Sequence, residues 1–174
     1  NRPDFITAEP VDLDALTAAV VTKARGLGVR DWQVDGTTDG MFLELDAQRI
    51  TQALLQLADN AVKHTRPGDV IAVGASVCPA EGTSSSSVRL WVRDTGHGVD
   101  PADRERIFDR FSRSTVLPGD EGFGLGLSIV RAIVTAHGGA VHVEESEPTG
   151  ATFVITLLFT ADTPDEEEES WPAS

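Results

Sequence analysis

Asp94, Gly96 and Gly98 stand at alternate positions in WVRDTGHGVDPADRERIFDRF, where an apolar, strand-like run breaks at a carboxylate. Two chemistries suit that arrangement. Asp94-Thr95-Gly96 is one half of an aspartic-protease dyad, in which two carboxylates share a proton. Alternatively, Asp94 at a strand end is a hook for the exocyclic amine of adenine, which guanine replaces by an oxygen, and the glycines bring the backbone close to the base. The dyad needs a second carboxylate from an internal duplicate or a dimer, and the chain has no second Asp-Thr-Gly. A protease would also continue as strand here, whereas Gly98 leads to Pro101, suited to the first turn of a helix with Asp100 as its cap.

Two further groups of residues favour the purine reading. In ALLQLADNAVKHT, Asn60, Lys63 and His64 are spaced three and four apart, on one face of a helix, away from much of its apolar stripe. In GFGLGLSIV, glycines 122, 124 and 126 run straight into a helical pattern, the arrangement in which free N–H groups and the helix dipole hold phosphate. Between these groups, SRSTVLPGDEG has little apolar content and is expected to be a flexible loop able to close as a lid.

The elements that position these groups follow from caps and periodicity. Asp12 caps a helix with Leu13, Leu16, Val20 and Val21 inward, and short strands follow around Trp32–Val34 and Met41–Leu45. Asp46 caps a longer helix whose apolar face is Ile50, Ala53, Leu54, Leu57 and Ala61, stopped at Pro67 and Gly68. VIAVGASV and SVRLWVRD are strands joined by an exposed serine-rich loop, and PADRERIFDRF is a short helix presenting Ile107, Phe108 and Phe111. A third helix turns Leu127, Val130, Ile133 and Val134 inward and stops at Gly138, with His137 at its end. Strands AVHVEES and ATFVITLLF close the chain's ordered part. The pattern predicts an α/β fold: a two-layer α/β sandwich with a mixed five-stranded sheet and three helices on one face.

At 174 residues the chain is one domain of ordinary size. The single cysteine, Cys78, forms no intrachain disulfide and belongs to no Cys/His cluster with metal-ligand spacing, which points to a cytoplasmic setting. No apolar run reaches the roughly 20 residues that cross a bilayer, so no membrane contact is expected of this segment. A formal net charge of -14 disfavours nucleic acid and anionic lipid, and a polyanionic ligand would need local cations or a metal ion. The acidic tail from 161 to 174 is expected to be disordered. The absence of an initial Met suggests a segment of a longer protein, with residues 1–10 leading in and 11–160 forming the domain.

Asn60 with Lys63, then Asp94, Gly96 and Gly98, then Phe108 and Phe111 in IFDRF, then glycines 122, 124 and 126 occur in the order of four boxes called N, G1, F and G2. In this the chain resembles the catalytic ATP-binding domain of sensor histidine kinases, of the GHKL (Bergerat-fold) superfamily that includes gyrase, heat-shock chaperone and mismatch-repair ATPases. The resemblance runs from PVDLDAL to about Phe159. It implies ATP and Mg²⁺ as cofactors, with Asn60 ligating the metal, Lys63 and Arg113 as cations for the phosphates, and Asp94 on adenine. His64, Gly96, Gly98, Phe108, Arg110, Phe111, Gly122, Gly124, Gly126, Leu127 and Thr152 complete the implied nucleotide contacts.

The same resemblance implies transfer of the γ-phosphate to a histidine on a separate dimerisation domain, and onward signalling to a response regulator. Where related ATPases carry a water-activating glutamate one turn before the asparagine, this chain has Gln56, which is no base. None of His64, His97, His137 or His142 has the acid- and proline-flanked helical context of a phosphoacceptor, and His97 stands at the pocket rim. A nucleotide-sensing module without catalysis, and a serine kinase of the anti-sigma-factor type, share these boxes and remain open.

Overall fold

The computed structural model of the chain describes residues 6–79, 82, 85–109 and 125–160. Asp12 has an extended backbone and its Oδ1 accepts the N–H groups of Asp14 and Ala15, so helix α1, Leu13–Ala24, starts where the side-chain cap demands. Asp46 does the same for helix α2, Ala47–Lys63, accepting from Arg49 N at 3.1 Å. Helix α3, Leu125–Ala136, ends at Gly138, whose φ of +70° turns the chain out of the helix.

Strands β2 (Asp31–Asp35), β4 (Val70–Cys78), β5 (Ser85–Asp94), β7 (Ala151–Thr160) and β6 (Ala140–Glu145) hydrogen-bond in that order to form a five-stranded sheet. Only β2 and β4 are parallel, so the sheet is mixed as predicted. The three helices cover one face. Leu54, Leu57, Val73, Leu90, Val92, Val130, Phe153 and Ile155 are all essentially inaccessible in the layer between. Alternation along β5 sends Val88, Leu90, Val92 and Asp94 toward the helices and Arg89, Trp91 and Arg93 to the opposite face.

On that opposite face Trp91 lies over Gly74 and Gly36: a Cβ added at Gly74 would run into the indole, and one at Gly36 would sit 3.0 Å from it. The Asp35–Arg93 ion pair at 2.9 Å closes the row beside it. No helix of the described residues is long and apolar enough to cross a membrane.

The fold departs from the sequence reading in two places. The strand expected at 41–45 is β3, Phe42–Leu45, and it pairs not with the main sheet but with a four-residue strand β1, Glu9–Asp12, in a separate antiparallel ribbon. Residues 9 and 10 lie in this ribbon, opposite Leu45 and Glu44. The helix expected from Pro101 is replaced, as far as Asp109, by two single 3-10 turns, Pro101–Asp103 and Arg106–Phe108. A stretch this short gains too few hydrogen bonds to offset α-helix nucleation, and two tight turns suffice to bury Ile107 and Phe108.

Candidate functional site

Asp94 ends β5 on the helix-facing side, at the position where the strand's alternation would otherwise place another core apolar residue. It is 2% exposed. Its Oδ1 accepts Gly96 N–H at 2.8 Å and Ala151 N–H at 3.4 Å, while Oδ2 takes no hydrogen bond among the described residues. Burial pushes the carboxyl above its ordinary range, against the opposing pull of those two N–H groups and of His97 nearby. A carboxylate held this way has one oxygen committed to the protein and one available to a donor.

Neighbouring glycines make this packing achievable. A Cβ at Gly96 would strike the His64 carbonyl, and one at Gly150, whose φ is +117°, would strike the Asp94 carbonyl. Gly98, at φ +78°, completes the turn. The loop 95–97 thus rests directly on the C-terminus of α2, where His64 is the cap.

On α2, Asn60 is 5% exposed, and its Oδ1 is buried with no hydrogen-bond partner among the described residues. It does not share a solvated face with Lys63, as helical spacing alone suggested. Lys63 is half-exposed and paired with Asp59 at 3.1 Å. One turn earlier, Gln56 packs on the start of α3: its Oε1 would lie 2.7 Å from a Cβ at Gly126. Lys63, His64, Thr65, Arg66, Asp69, Thr95, Gly96 and His97 line a cleft of about 490 Å³, within the size range of small-molecule sites. A larger hollow of about 740 Å³ at the Phe42 and Leu158 end of the sheet has Glu44 as the one charged residue of its lining among the described residues, and none of these groups lines it.

Three expected contacts are placed elsewhere. Thr152 follows Ala151 by one residue and so faces the far side of the sheet, opposite Arg93, with its hydroxyl 2.7 Å from Ser146 Oγ. Ala151 is the β7 residue beside Asp94. Phe108 is a core residue, edge-on to Phe153 with ring centroids 5.9 Å apart, and the Leu127 side chain is buried in the same core. Arg110, Phe111, Arg113, Gly122 and Gly124, and with them the expected lid and the acidic tail, lie outside the described residues.

The sequence reading also missed a junction. His137 accepts Asp46 N–H on Nε2 at 3.1 Å and bonds the Ile133 carbonyl through Nδ1 at 2.8 Å, while Asp46 Oδ2 accepts Thr7 N–H at 3.0 Å. The end of α3, the start of α2 and the entering chain therefore meet at one residue, Asp46, the first through its backbone N–H and the other two through its carboxylate. Burial works to raise the Asp46 pKa, but the Thr7 and Arg49 N–H groups and His137 outweigh it and hold it low.

A mixed sheet carrying a buried carboxylate at a strand end, beside a helix with an inward, unsatisfied asparagine oxygen, defines a nucleotide-binding α/β domain. The family described as "Histidine kinase-, DNA gyrase B-, and HSP90-like ATPase" matches residues 45–161. The chain belongs to that family, as a histidine kinase ATP-binding catalytic domain. The sensor protein SrrB of Staphylococcus aureus is 37% identical over 114 residues, 64% of this chain and 18% of SrrB, so the chain spans under a fifth of such curated relatives. The mycobacterial sensor histidine kinase MprB superposes with a TM-score of 0.67 at 29% identity, over 87% of this chain and 97% of that one. Full-length ShkA, in complex with AMPPNP, superposes with a TM-score of 0.65 at 34% identity, over 89% of this chain and 32% of that one.

Proposed function

We propose that the domain binds Mg·ATP in the cleft between α2 and the 94–98 loop and presents the γ-phosphate to a histidine on a separate dimerisation domain. The observation that carries this reading is Asp94, a buried carboxylate with Oδ1 tied to two backbone N–H groups and Oδ2 left for the adenine amine. Carboxylate against exocyclic amine selects adenine over guanine.

Mg²⁺ requires hard oxygen ligands and keeps several waters, and the Asn60 Oδ1, buried and without a partner among the described residues, is a donor of that type. Once bound beside the phosphates, the ion would neutralise charge on the oxygens of the transferring group. Lys63 supplies a cation at the same end of α2. Its pair with Asp59 is half-exposed on both sides and worth at most about 1 kcal/mol, so a phosphate exchanges for it at little cost. Arg113, outside the described residues, is assigned the same role from the resemblance alone. Gln56 offers no base for water, so transfer to a histidine is expected to outrun hydrolysis.

In this reading the phosphate passes from the histidine to a response regulator, and the domain works on the cytoplasmic side, where ATP is supplied. The test has two stages. Calorimetric titration with ATP, in Mg²⁺ and in EDTA, with GTP as control, should give metal-dependent, adenine-selective binding, and no binding up to millimolar ATP sinks the proposal. Incubation with radiolabelled ATP and a phosphoacceptor domain should then give an acid-labile phosphohistidine. An acid-stable phosphoester would instead mark a serine kinase, and no label with any acceptor would mark a sensing module.

A further inference from the structure

Helix α2 stops at Lys63, where the helical hydrogen bonds run out. Pro67 has no N–H for the Lys63 carbonyl, and the Arg66 N–H, which a longer helix would give to Val62, goes to Asp69 Oδ2 at 2.8 Å. The Val62 carbonyl is met by Arg30 instead. Arg30 Nη2 donates to Val62 O at 2.9 Å and to Thr65 O at 3.1 Å, and Nε donates to Thr65 Oγ1 at 2.8 Å. That hydroxyl in turn donates to Ala61 O at 2.7 Å. One partly buried guanidinium thus holds the main chain on both sides of Lys63 and His64. The segment that carries it is itself fixed: Trp32 Nε1 donates to Gly28 O at 3.0 Å, and Asp31 N–H to Asp69 O at 2.8 Å. A Cβ at Gly28 would come within 3.1 Å of Val62 Cγ1, so this segment lies against the helix end.

We propose that Arg30 is a positioning residue for phosphate binding: by clamping Val62 and Thr65 it fixes how the end of α2 presents Lys63 to the nucleotide. The inference rests on the nucleotide reading of the site and extends it to a residue that does not line the cleft. The last turn of a helix frays where its carbonyls lack partners, and Lys63 lies in that turn. Held from both sides, it meets part of its ordering cost before the ligand arrives. The role belongs to the planar fork, which spans separate acceptors as an ammonium does not, and not to the positive charge alone.

Calorimetric titrations with ATP in Mg²⁺ on the wild-type chain, Arg30→Ala, Lys63→Ala and the double variant form a cycle, with thermal unfolding alongside. Lys63→Ala should weaken binding about tenfold, the loss of a charge-assisted bond, and Arg30→Ala about three- to tenfold. In the Lys63→Ala background, Arg30→Ala should weaken it by less than about twofold, since nothing is left to position. A merely structural loss would multiply with that of Lys63, and this result overturns the inference, as does wild-type affinity in either single variant. Arg30→Lys keeps the charge without the fork and should bind as weakly as Arg30→Ala. Wild-type affinity there would assign Arg30 to long-range attraction and overturn the inference too. Arg30→Lys also carries the cycle if Arg30→Ala does not fold, and failure of both to fold makes Arg30 a residue of the fold alone, against the inference. A wild-type chain that does not bind fails the nucleotide reading and the inference together, whereas normal wild-type binding with multiplying losses removes the inference alone.

Discussion

Because burial raises the Asp94 carboxyl, its charge costs the ligand-free fold free energy that the Gly96 and Ala151 N–H groups and His97 offset only in part. Asp94→Asn keeps an acceptor at Oδ1 for Gly96 and Ala151 and removes that cost. Thermal unfolding should place it at or above the wild type, while calorimetry should show nucleotide affinity reduced about tenfold to a hundredfold, the loss of a charge-assisted hydrogen bond. Asn60→Ala deletes a buried oxygen that has no hydrogen-bond partner among the described residues. Its stability should stay within about 1 kcal/mol of wild type, with the difference between Mg²⁺ and EDTA titrations abolished. Asp94 was marked in the sequence as a carboxylate at the end of an apolar strand pattern, whereas the burial of Asn60 was not, since helical spacing alone put it away from the apolar stripe and only the order of the four boxes singled it out. Thr152 was misplaced by a single residue: strand alternation decides which of two neighbours faces the cleft, and a glycine-bounded turn hides where that alternation starts.

At the scale of elements, the strand ends around the site are locked by close backbone approach. Gly150→Ala would put a methyl group into the Asp94 carbonyl at a φ that L residues avoid. Denaturant unfolding should register a loss of at least about 3 kcal/mol, far beyond an ordinary surface substitution. The helices were legible from caps and periodicity, and Asp12, Asp46 and Gly138 act where expected. The β1–β3 ribbon was not, since four partly exposed residues carry no periodic signal. Nor was the His137–Asp46–Thr7 junction, whose partners are up to 91 positions apart and are joined through backbone N–H groups that leave no mark on side-chain pattern.

For the whole molecule, the titrating carboxylates oppose one another. Asp14, held down chiefly by the Gly40 and Thr38 N–H groups, Asp46 and Glu144, held down chiefly by its bond to His142, contribute stability that is present above the unfolded carboxylate values of about 4. It is lost as pH falls through their lowered folded values. Asp94, raised in the folded state, does the reverse and adds stability as pH falls through its folded value toward about 3.9. Stability measured by urea titration should therefore rise as pH falls through the raised Asp94 value toward about 4 and collapse below it, and Asp94→Asn should abolish the rise and keep the collapse.

Gly36, Gly74 and Trp91 bear on the history of such a fold as well as on its packing. A Cβ at 36 or 74 would meet the indole and also a backbone carbonyl, that of Ala75 or of Asp35, so a lineage that loses the tryptophan keeps both glycines, and one that gains a side chain at 74 must give up the indole and part the neighbouring strands as well. On the sheet face that carries no helix, ancestry would then be recorded most durably in the two glycines, less in the tryptophan that lies over them, and least in the ion pair beside them.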